Sequence, residues 1–300
     1  MFAEENVSLS VVIPVFQRQA PAERAIRSVL EQSIDCEIII VDDCSPEPFR
    51  LPTDIAGRSV QFVRHETNRG AAAARNTGMA LASGSWLTFL DSDDALLPGT
   101  LEKRLRFAQD HAAKHPDSLA IYGAAFLNVD ESGKPVRVRT PRSGREASDF
   151  ASGCWFCPGS CILLRRQPFL DRVGLQTESL RRLEDLDWFL RAGLAGAELV
   201  VDRTVAAAIT RSVPPTAASL AETISKVVHL WEGPALSTKE RRRLKAYLNL
   251  ELAAALRRDG NTTSAAMSLA RSLLLKPRLS LHLSPGWETR AAARHEASWA

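Results

Sequence analysis

Three carboxylates, Asp91, Asp93 and Asp94, stand within four residues in "SWLTFLDSDDALLP" (85–98), directly after an apolar run from Trp86 to Leu90. Like charges at this spacing repel one another unless a cation or hydrogen-bond donors compensate them. A hard divalent ion is the economical compensation: Mg²⁺ or Mn²⁺, held by one or two carboxylates, completes its shell with water and substrate phosphate oxygens. A second acidic pair, Asp42 and Asp43, ends another apolar run in "EIIIVDD" (37–43), and a third group, Glu184, Asp185 and Asp187, lies in "RRLEDLDWFLRAG" (181–193). Each has an ordinary reading when taken alone. Aspartates after strands form turns and cap helices. Acids in the first turn of a helix complement its dipole, and Leu183, Leu186, Phe189, Leu190 and Leu194 fall at helical spacing around the third group. Two aspartate clusters at one edge of a sheet are harder to explain in that way.

The elements that must carry these residues alternate. "LSVVIPV" (9–15), "EIIIVDD" (37–43), "VQFVRHE" (60–66) and "WLTFLDSDD" (86–94) are of strand length, and "AERAIRSVLEQ" (22–32) and the Ala-rich "GAAAARNTGMALASG" (70–84) are helical. Strand, helix, strand, strand, helix, strand is the order of a parallel, doubly wound α/β sheet. Ligands of such sheets lie beyond the carboxyl ends of the strands. Asp42 and Asp43, Asp91 and Asp93, and "PVFQR" (14–18) all fall at such ends.

Bulk properties exclude several classes. A chain of 300 residues, 45% hydrophobic and 24% charged, has ample core for one large domain with an appendage, and a net charge of +3 gives no reason to expect nucleic acid. Five cysteines without an even framework, and no basic and apolar leader at the start, predict a cytoplasmic protein. No apolar run is long enough to span a membrane. Cys154, Cys157 and Cys161 have spacing that suits a zinc knuckle, but no fourth ligand is evident, and small core hydrophobes are the simpler reading.

The motifs taken together carry a resemblance. "VSLSVVIPVFQR", "IIIVDDCSPEP", "NRGAAAARNTGMALASGSWLTFLDSDDALLPGTL" and "GSCILLRRQPFLDRVGLQTESLRRLEDLDWFLRAG" resemble, in order, the motifs of the family 2 glycosyltransferases over roughly residues 7 to 200. The resemblance implies a GT-A fold, a Rossmann-like mostly parallel sheet flanked by helices, and an inverting transfer from a nucleoside-diphosphate sugar, UDP foremost, to a hydroxyl acceptor in glycan or cell-surface polysaccharide synthesis.

The same resemblance distributes roles. Pro14, Val15, Phe16, Asp42 and Asp43 would hold the base and ribose. Asn68, Gly70 and Arg75 would close over the nucleotide, where the Arg75 guanidinium suits phosphate or a neighbouring aspartate. In the DxD motif Asp91, with Ser92, would lie toward ribose or donor sugar, and Asp93, with Asp91, would hold Mn²⁺ or Mg²⁺. Asp185 would serve as general base, with Glu184 orienting the acceptor. Gly159 and Ser160 of "PGS" resemble the acceptor floor, and Trp155 offers a stacking face beside it.

After residue 200 the pattern departs: "AAAITRSVPPTAAS" (206–219) has Arg211 but no histidine to serve as a further metal ligand. The expected division is a transferase domain over 1–212, with a nucleotide-sugar half at 7–98 and an acceptor half at 99–212, then a helical region over 213–300. That region is basic, with 12 Lys/Arg against 5 Asp/Glu in residues 237–300. "KERRRLKAYLNLELAAALRR" (239–258) surrounds an apolar face with cations, which predicts salt-sensitive contact with an anionic membrane surface; the family resemblance implies a saccharide or lipid-linked saccharide as acceptor. A nucleotidyltransferase, with a similar acidic sheet edge, and a non-catalytic nucleotide-sugar-binding protein remain as alternatives.

Overall fold

The computed structural model describes residues 9–55, 60–153, 158–210, 214–233 and 235–278, and the backbone of 288–289. Its first third alternates as the apolar runs predict: β1 (Leu9–Val15), α1 (Gln19–Leu30), β2 (Glu37–Asp42), β3 (Val60–Arg64), α2 (Ala71–Leu81) and β4 (Trp86–Phe89). The four strands are parallel in the order β3-β2-β1-β4. Val15 is paired with Asp42, and Val12 with Phe89, so the chain leaves β1, β2 and β4 at one edge. Strands covered on both faces need unbroken apolar runs, and Ile38 to Val41 are all 1% exposed or less.

Helix α2 lies unusually close to the sheet. A Cβ at Gly78 would come within 2.2 Å of Val12 Cγ1. The small side chains of Ala72, Ala73, Ala74 and Gly78 permit that approach, which carries Arg75, near the start of α2, to the ends of β1 and β4.

The rest of the sheet is antiparallel at most joins. After β4 come β5 (Ala95–Leu96), α3 (Thr100–Lys114), β6 (Ala120–Val129), β7 (Pro135–Arg139), α4 (Ala147–Phe150), β8 (Ile162–Arg165), α5 (Arg166–Arg172), α6 (Glu184–Leu194) and β9 (Glu198–Thr210). β8 runs antiparallel between β4 and β6, β7 is antiparallel to β6, and β9 lies parallel to β6 and antiparallel to β5. Among the described residues a ten-stranded mixed sheet results, with β10 (Glu288–Thr289) on β7. The expected predominance of parallel strands therefore holds for the first half. In the second half a tight turn reverses the chain: Asp130 Oδ1 accepts from the backbone N–H groups of Ser132 and Lys134, and Gly133 adopts φ 82°.

Three helices follow, α7 (Ala217–Leu230), α8 (Thr238–Arg258) and α9 (Thr262–Leu275). Ser237 and Glu240 form a reciprocal capping box at the start of α8. The apolar side of α8 faces inward, where Leu244, Tyr247 and Leu248 share a core with Leu186 and Leu190 of α6. The ring of Tyr247 lies so close to Gly153 that a Cβ there would overlap it at 2.0 Å. Lys239 pairs with Glu146, Arg243 with Asp149, and Arg241 donates to the carbonyls of Trp231 and Leu236. The protein itself thus covers the apolar face of 239–258. Among the described residues no helix is long and apolar enough to cross a membrane. Cys161 is buried in the main core as a small hydrophobe, while Cys154 and Cys157, like Trp155 and Arg211, lie outside the described residues.

Candidate active site

The three carboxylates that follow β4 have three different surroundings. Asp91 Oδ1 lies 2.7 Å from Nη2 of Arg75, and Asp93 Oδ2 lies 2.8 Å from Nη1 of Arg18. Asp94 turns inward, accepting from the Ser160 hydroxyl at 2.6 Å and from the backbone N–H of Thr210 at 3.0 Å. Burial, then the charges of Asp91 and Asp93, push the Asp94 carboxyl well above the usual range. Burial also raises Asp93, against the pull of Arg18. Asp94 is thus a brace, and Asp91 and Asp93 are the outward pair.

Across from them stands the start of α6. Leu183, its N-cap, has φ 58°, a left-handed conformation rare for a branched side chain, and no side chain caps the helix. The chain therefore enters α6 in a sharp corner that projects Glu184 and Asp185. Arg75 reaches this group too, with Nη1 3.3 Å from Glu184 Oε1. One guanidinium joins Asp91 to Glu184. Desolvation, then the neighbouring charge of Glu184, raises the Asp185 carboxyl to about 7, against the opposing effects of the Leu186 N–H and Arg75. Asp187 plays no part in this cluster: it accepts from Thr177 Oγ1 at 2.7 Å and Trp231 Nε1 at 3.0 Å, and lies 3.1 Å from Arg191 Nε.

The two acidic groups enclose a cavity of 150 Å³, walled by Arg75, Asp91, Gly159, Gln176, Glu184 and Asp185, with Phe89 and Trp188 among its apolar lining. A larger cleft of 1060 Å³ opens beside the ends of β1 and β2, touching Val15, Arg18 and Ser45. It is lined by Glu23 and Glu47 but by none of the acids after β4 or at the start of α6.

The end of β2 is less open than its two aspartates suggest. Asp42 has no accessible surface; its carboxylate accepts from the Ser45 and Phe49 N–H groups and from Arg64. It is part of the loop's framework, enclosed by the donors from which its carboxylate accepts. Asp43 is 3% exposed and accepts from the Arg69 N–H at 2.9 Å and the Gly70 N–H at 2.6 Å, with His65 Nδ1 at 2.8 Å. It fastens the 68–70 segment to the sheet edge. Gly70 has φ 95°, a backbone conformation that L side chains rarely adopt, so a substitution there is strained. Asn68 is a strut, donating to the Asp43 carbonyl and accepting from Arg181.

Phe16 is 40% exposed and presents a ring at the edge, whereas Val15 is 1% exposed and contributes through its backbone, accepting from the Asp43 N–H. Pro14 pairs with Val41 in the sheet. Ser92 is 4% exposed and borders neither cavity. Ser160 is fully buried: its hydroxyl donates to Asp94 and accepts from the Asp91 N–H at 3.0 Å. It holds the acidic turn in place, while Gly159 lines the small cavity.

Sequence reasoning missed the partners of these acids. Arg18 was visible in "PVFQR" as a cation after a strand, but its pairing with Asp93 joins residues 75 apart. Gln176 and Thr210 carry no sequence signal of their own.

Asp91 and Asp93 fit a divalent cation as partial ligands. Both are partly accessible, 29% and 18%, and Asp93 is held above its usual range by burial. Among the described residues no three His, Cys, Asp or Glu side chains form a complete metal shell, so substrate oxygens and water would supply the remainder.

A parallel nucleotide-type half-sheet continued by antiparallel strands, with an acidic turn after β4 facing an acidic helix start, is the architecture of the GT-A glycosyltransferases. The family model described as glycosyl transferase family 2 matches residues 10–172, more than half of the chain, and the chain belongs to that family. It is 33% identical over 188 residues to an uncharacterized glycosyltransferase of Haemophilus influenzae, covering 61% of each chain. It is 28% identical over 206 residues to the amylovoran biosynthesis glycosyltransferase AmsB of Erwinia amylovora, covering 66% of this chain and 67% of that one. The match thus spans about two-thirds or less of these relatives. The fold is similar to that of S. aureus TarS 1-349, solved in complex with UDP-GlcNAc, with a TM-score of 0.59 at 16% identity over 89% of each chain.

Proposed function

We propose that the chain is an inverting glycosyltransferase that moves a sugar from a nucleoside diphosphate, UDP foremost, to a hydroxyl of a saccharide or lipid-linked saccharide in polysaccharide synthesis. The observation that carries this reading is the Arg75 bridge, which gathers Asp91 and Glu184 around one cavity together with Asp185. The UDP-GlcNAc complex of TarS and the amylovoran biosynthesis in the name of AmsB support the donor and product classes.

In this reading the nucleoside occupies the edge beside Phe16 and the large cleft, and the transferred sugar lies between Asp91 and Asp185. Asp185 takes the acceptor hydroxyl proton while the acceptor oxygen bonds to the anomeric carbon; the bond from that carbon to the diphosphate oxygen breaks, and its electron pair leaves with the nucleoside diphosphate. A general base is most effective near the working pH, and a carboxyl raised to about 7 meets that condition. Glu184, held by Arg75, orients the acceptor. Mn²⁺ or Mg²⁺ on Asp93 and Asp91 would neutralise the charge that develops on the diphosphate. Arg18 stands ready as a further cation on the same edge.

Incubation with UDP-sugars and Mn²⁺ tests the proposal. Release of UDP, by transfer or by slow hydrolysis, is expected; release of pyrophosphate identifies a nucleotidyltransferase, and release of neither identifies a binding protein. Asp93→Asn is expected to lose most metal-dependent UDP affinity, and unchanged Mn²⁺ dependence would move the metal site elsewhere.

A further inference from the structure

Helix α9 is inverted relative to a helix that only covers a core. Surface helices ordinarily turn their larger apolar side chains inward. In α9 the buried residues are the small Ala265, Ser268 and Ser272, and the Ser272 hydroxyl donates to the Ala246 carbonyl of α8 at 2.7 Å. The larger side chains face outward: Met267 is 51% exposed, Leu273 39% and Leu274 81%, with Leu269 exposed beside them. At about 100° per residue, Leu269, Leu273, Ala266, Ala270, Leu274 and Met267 fill one arc of about 160°, which no polar residue between 266 and 274 interrupts. The arc runs into a groove of 790 Å³ between α8 and α9, where Ala266 and Leu269 meet Leu250 and Ala253. Continuous exposed apolar surface marks a contact site.

The surrounding charges identify what is contacted. Arg257 and Arg258 line the same groove, Arg271 follows Met267 by about 40° around the helix, and Arg278 lies just past its end. All four are exposed, and among the described residues none of them forms an ion pair. Helix α9 carries no acid, and the two acids in the last turns of α8 and the loop after it are engaged: Glu251 accepts from the Tyr247 hydroxyl at 2.9 Å and Asp259 from the Ala217 N–H at 2.7 Å. An apolar face bordered by free cations complements the headgroup layer of an anionic bilayer. A folded protein partner fits less well. The arc is aliphatic, without the aromatic anchors that dominate protein contacts. A helix face of about 21 Å by 10 Å also falls well short of the roughly 800 Å² that each partner buries in a stable protein interface.

We infer that α9 is an interfacial helix: Leu269, Leu273 and Leu274 enter the headgroup layer of an anionic membrane, and Arg257, Arg258 and Arg271 pair with lipid phosphates. The lipid-facing apolar side chains come from α9, whereas those of α8 are covered by the body. This attachment holds or fails independently of the reaction proposed above.

The test is flotation of the full chain with vesicles of phosphatidylcholine alone and with vesicles of phosphatidylcholine and phosphatidylglycerol in equal parts. At low salt, binding to the anionic vesicles is expected to exceed binding to the neutral ones by about tenfold, and to fall at high salt. The double variant Leu273→Asp, Leu274→Asp is expected to lower that binding about tenfold with thermal unfolding unchanged, since both positions are exposed. Arg106→Glu on α3, 72% exposed at its side chain, changes net charge by the same amount and is expected to leave binding within about twofold of wild type. Should the double variant not fold, Arg271→Glu replaces it and must lower binding more than Arg106→Glu does. Absence of binding to anionic vesicles, binding undiminished by the α9 variants, or an equal loss in Arg106→Glu would overturn the inference. A wild type that ignores vesicles but sediments as a dimer, dissociated by the α9 variants, would overturn it too and give the face to a second copy of the chain.

Discussion

Replacing Arg75 with Met probes the junction of the two acidic sites. The guanidinium makes contacts of 2.7 Å to Asp91 and 3.3 Å to Glu184, with its own side chain 10% exposed. Methionine keeps most of the aliphatic stem, so the loss is chiefly of charge. Breaking a buried ion pair from one side typically costs about 3 to 5 kcal/mol. Asp91 is 29% exposed and can recover some hydration, which favours the lower end, about 3 kcal/mol. A second effect appears in catalysis. Arg75 is among the groups that hold the Asp185 carboxyl down, so its removal leaves burial and Glu184 to push that carboxyl further above 7. Urea unfolding at pH 8 should show the stability loss, and the pH profile of UDP release should show its rising limb displaced to higher pH. A variant within 1 kcal/mol of wild type, with an unmoved limb, would refute the claim that this arginine couples the two sites.

Other expectations follow from single contacts. Trp231→Phe removes the indole N–H that reaches Asp187 Oδ1 at 3.0 Å, and should cost about 1.5 to 3 kcal/mol in denaturant unfolding, because α7 is fastened to α6 there. Cys44 holds φ 61°, where a glycine rests without strain, so Cys44→Gly should raise stability by about 1 kcal/mol in the same measurement. Asp185 is raised from 3.8 to about 7 in the folded chain, so its ionisation penalises the folded state. The penalty is absent below about pH 4, grows as pH rises toward 7 and is full above it; Asp185→Asn should match wild type in stability near pH 4 and exceed it by about 2 to 4 kcal/mol at pH 8.

Much of the site was legible in sequence because strand ends concentrate it. Asp91 and Asp93 follow an unmistakable apolar run, and β1 and β2 bring "PVF" and "DD" to the same edge. What a sequence cannot separate is the adjacent pair Asp42 and Asp43: Asp42 is wholly enclosed by Ser45, Phe49 and Arg64, and nothing in "VDDCS" marks that fate. Ser160 resembles a substrate contact until the distance of its hydroxyl to Asp94 is known. Gln176 depends on a clamp from Asn76, one hundred residues earlier, that only the packing of α2 creates. The amphipathic pattern of α8 is equally informative and equally ambiguous, since a face that suits a membrane also suits Leu186 and Leu190.

The central claim is that Asp185 takes the acceptor proton while the donor is held at Asp91 and Asp93. It is tested most directly by comparing Asp185→Asn with Glu184→Gln, measuring UDP-sugar affinity in Mn²⁺ alongside the rate of sugar transfer. Removal of a positioned base costs on the order of 10² to 10⁴ in rate. Asp185→Asn is expected to keep donor affinity and lose transfer by that factor, with Glu184→Gln impaired less. An Asp185→Asn protein that transfers sugar at the wild-type rate, or a Glu184→Gln protein that alone is inactive, would contradict the account.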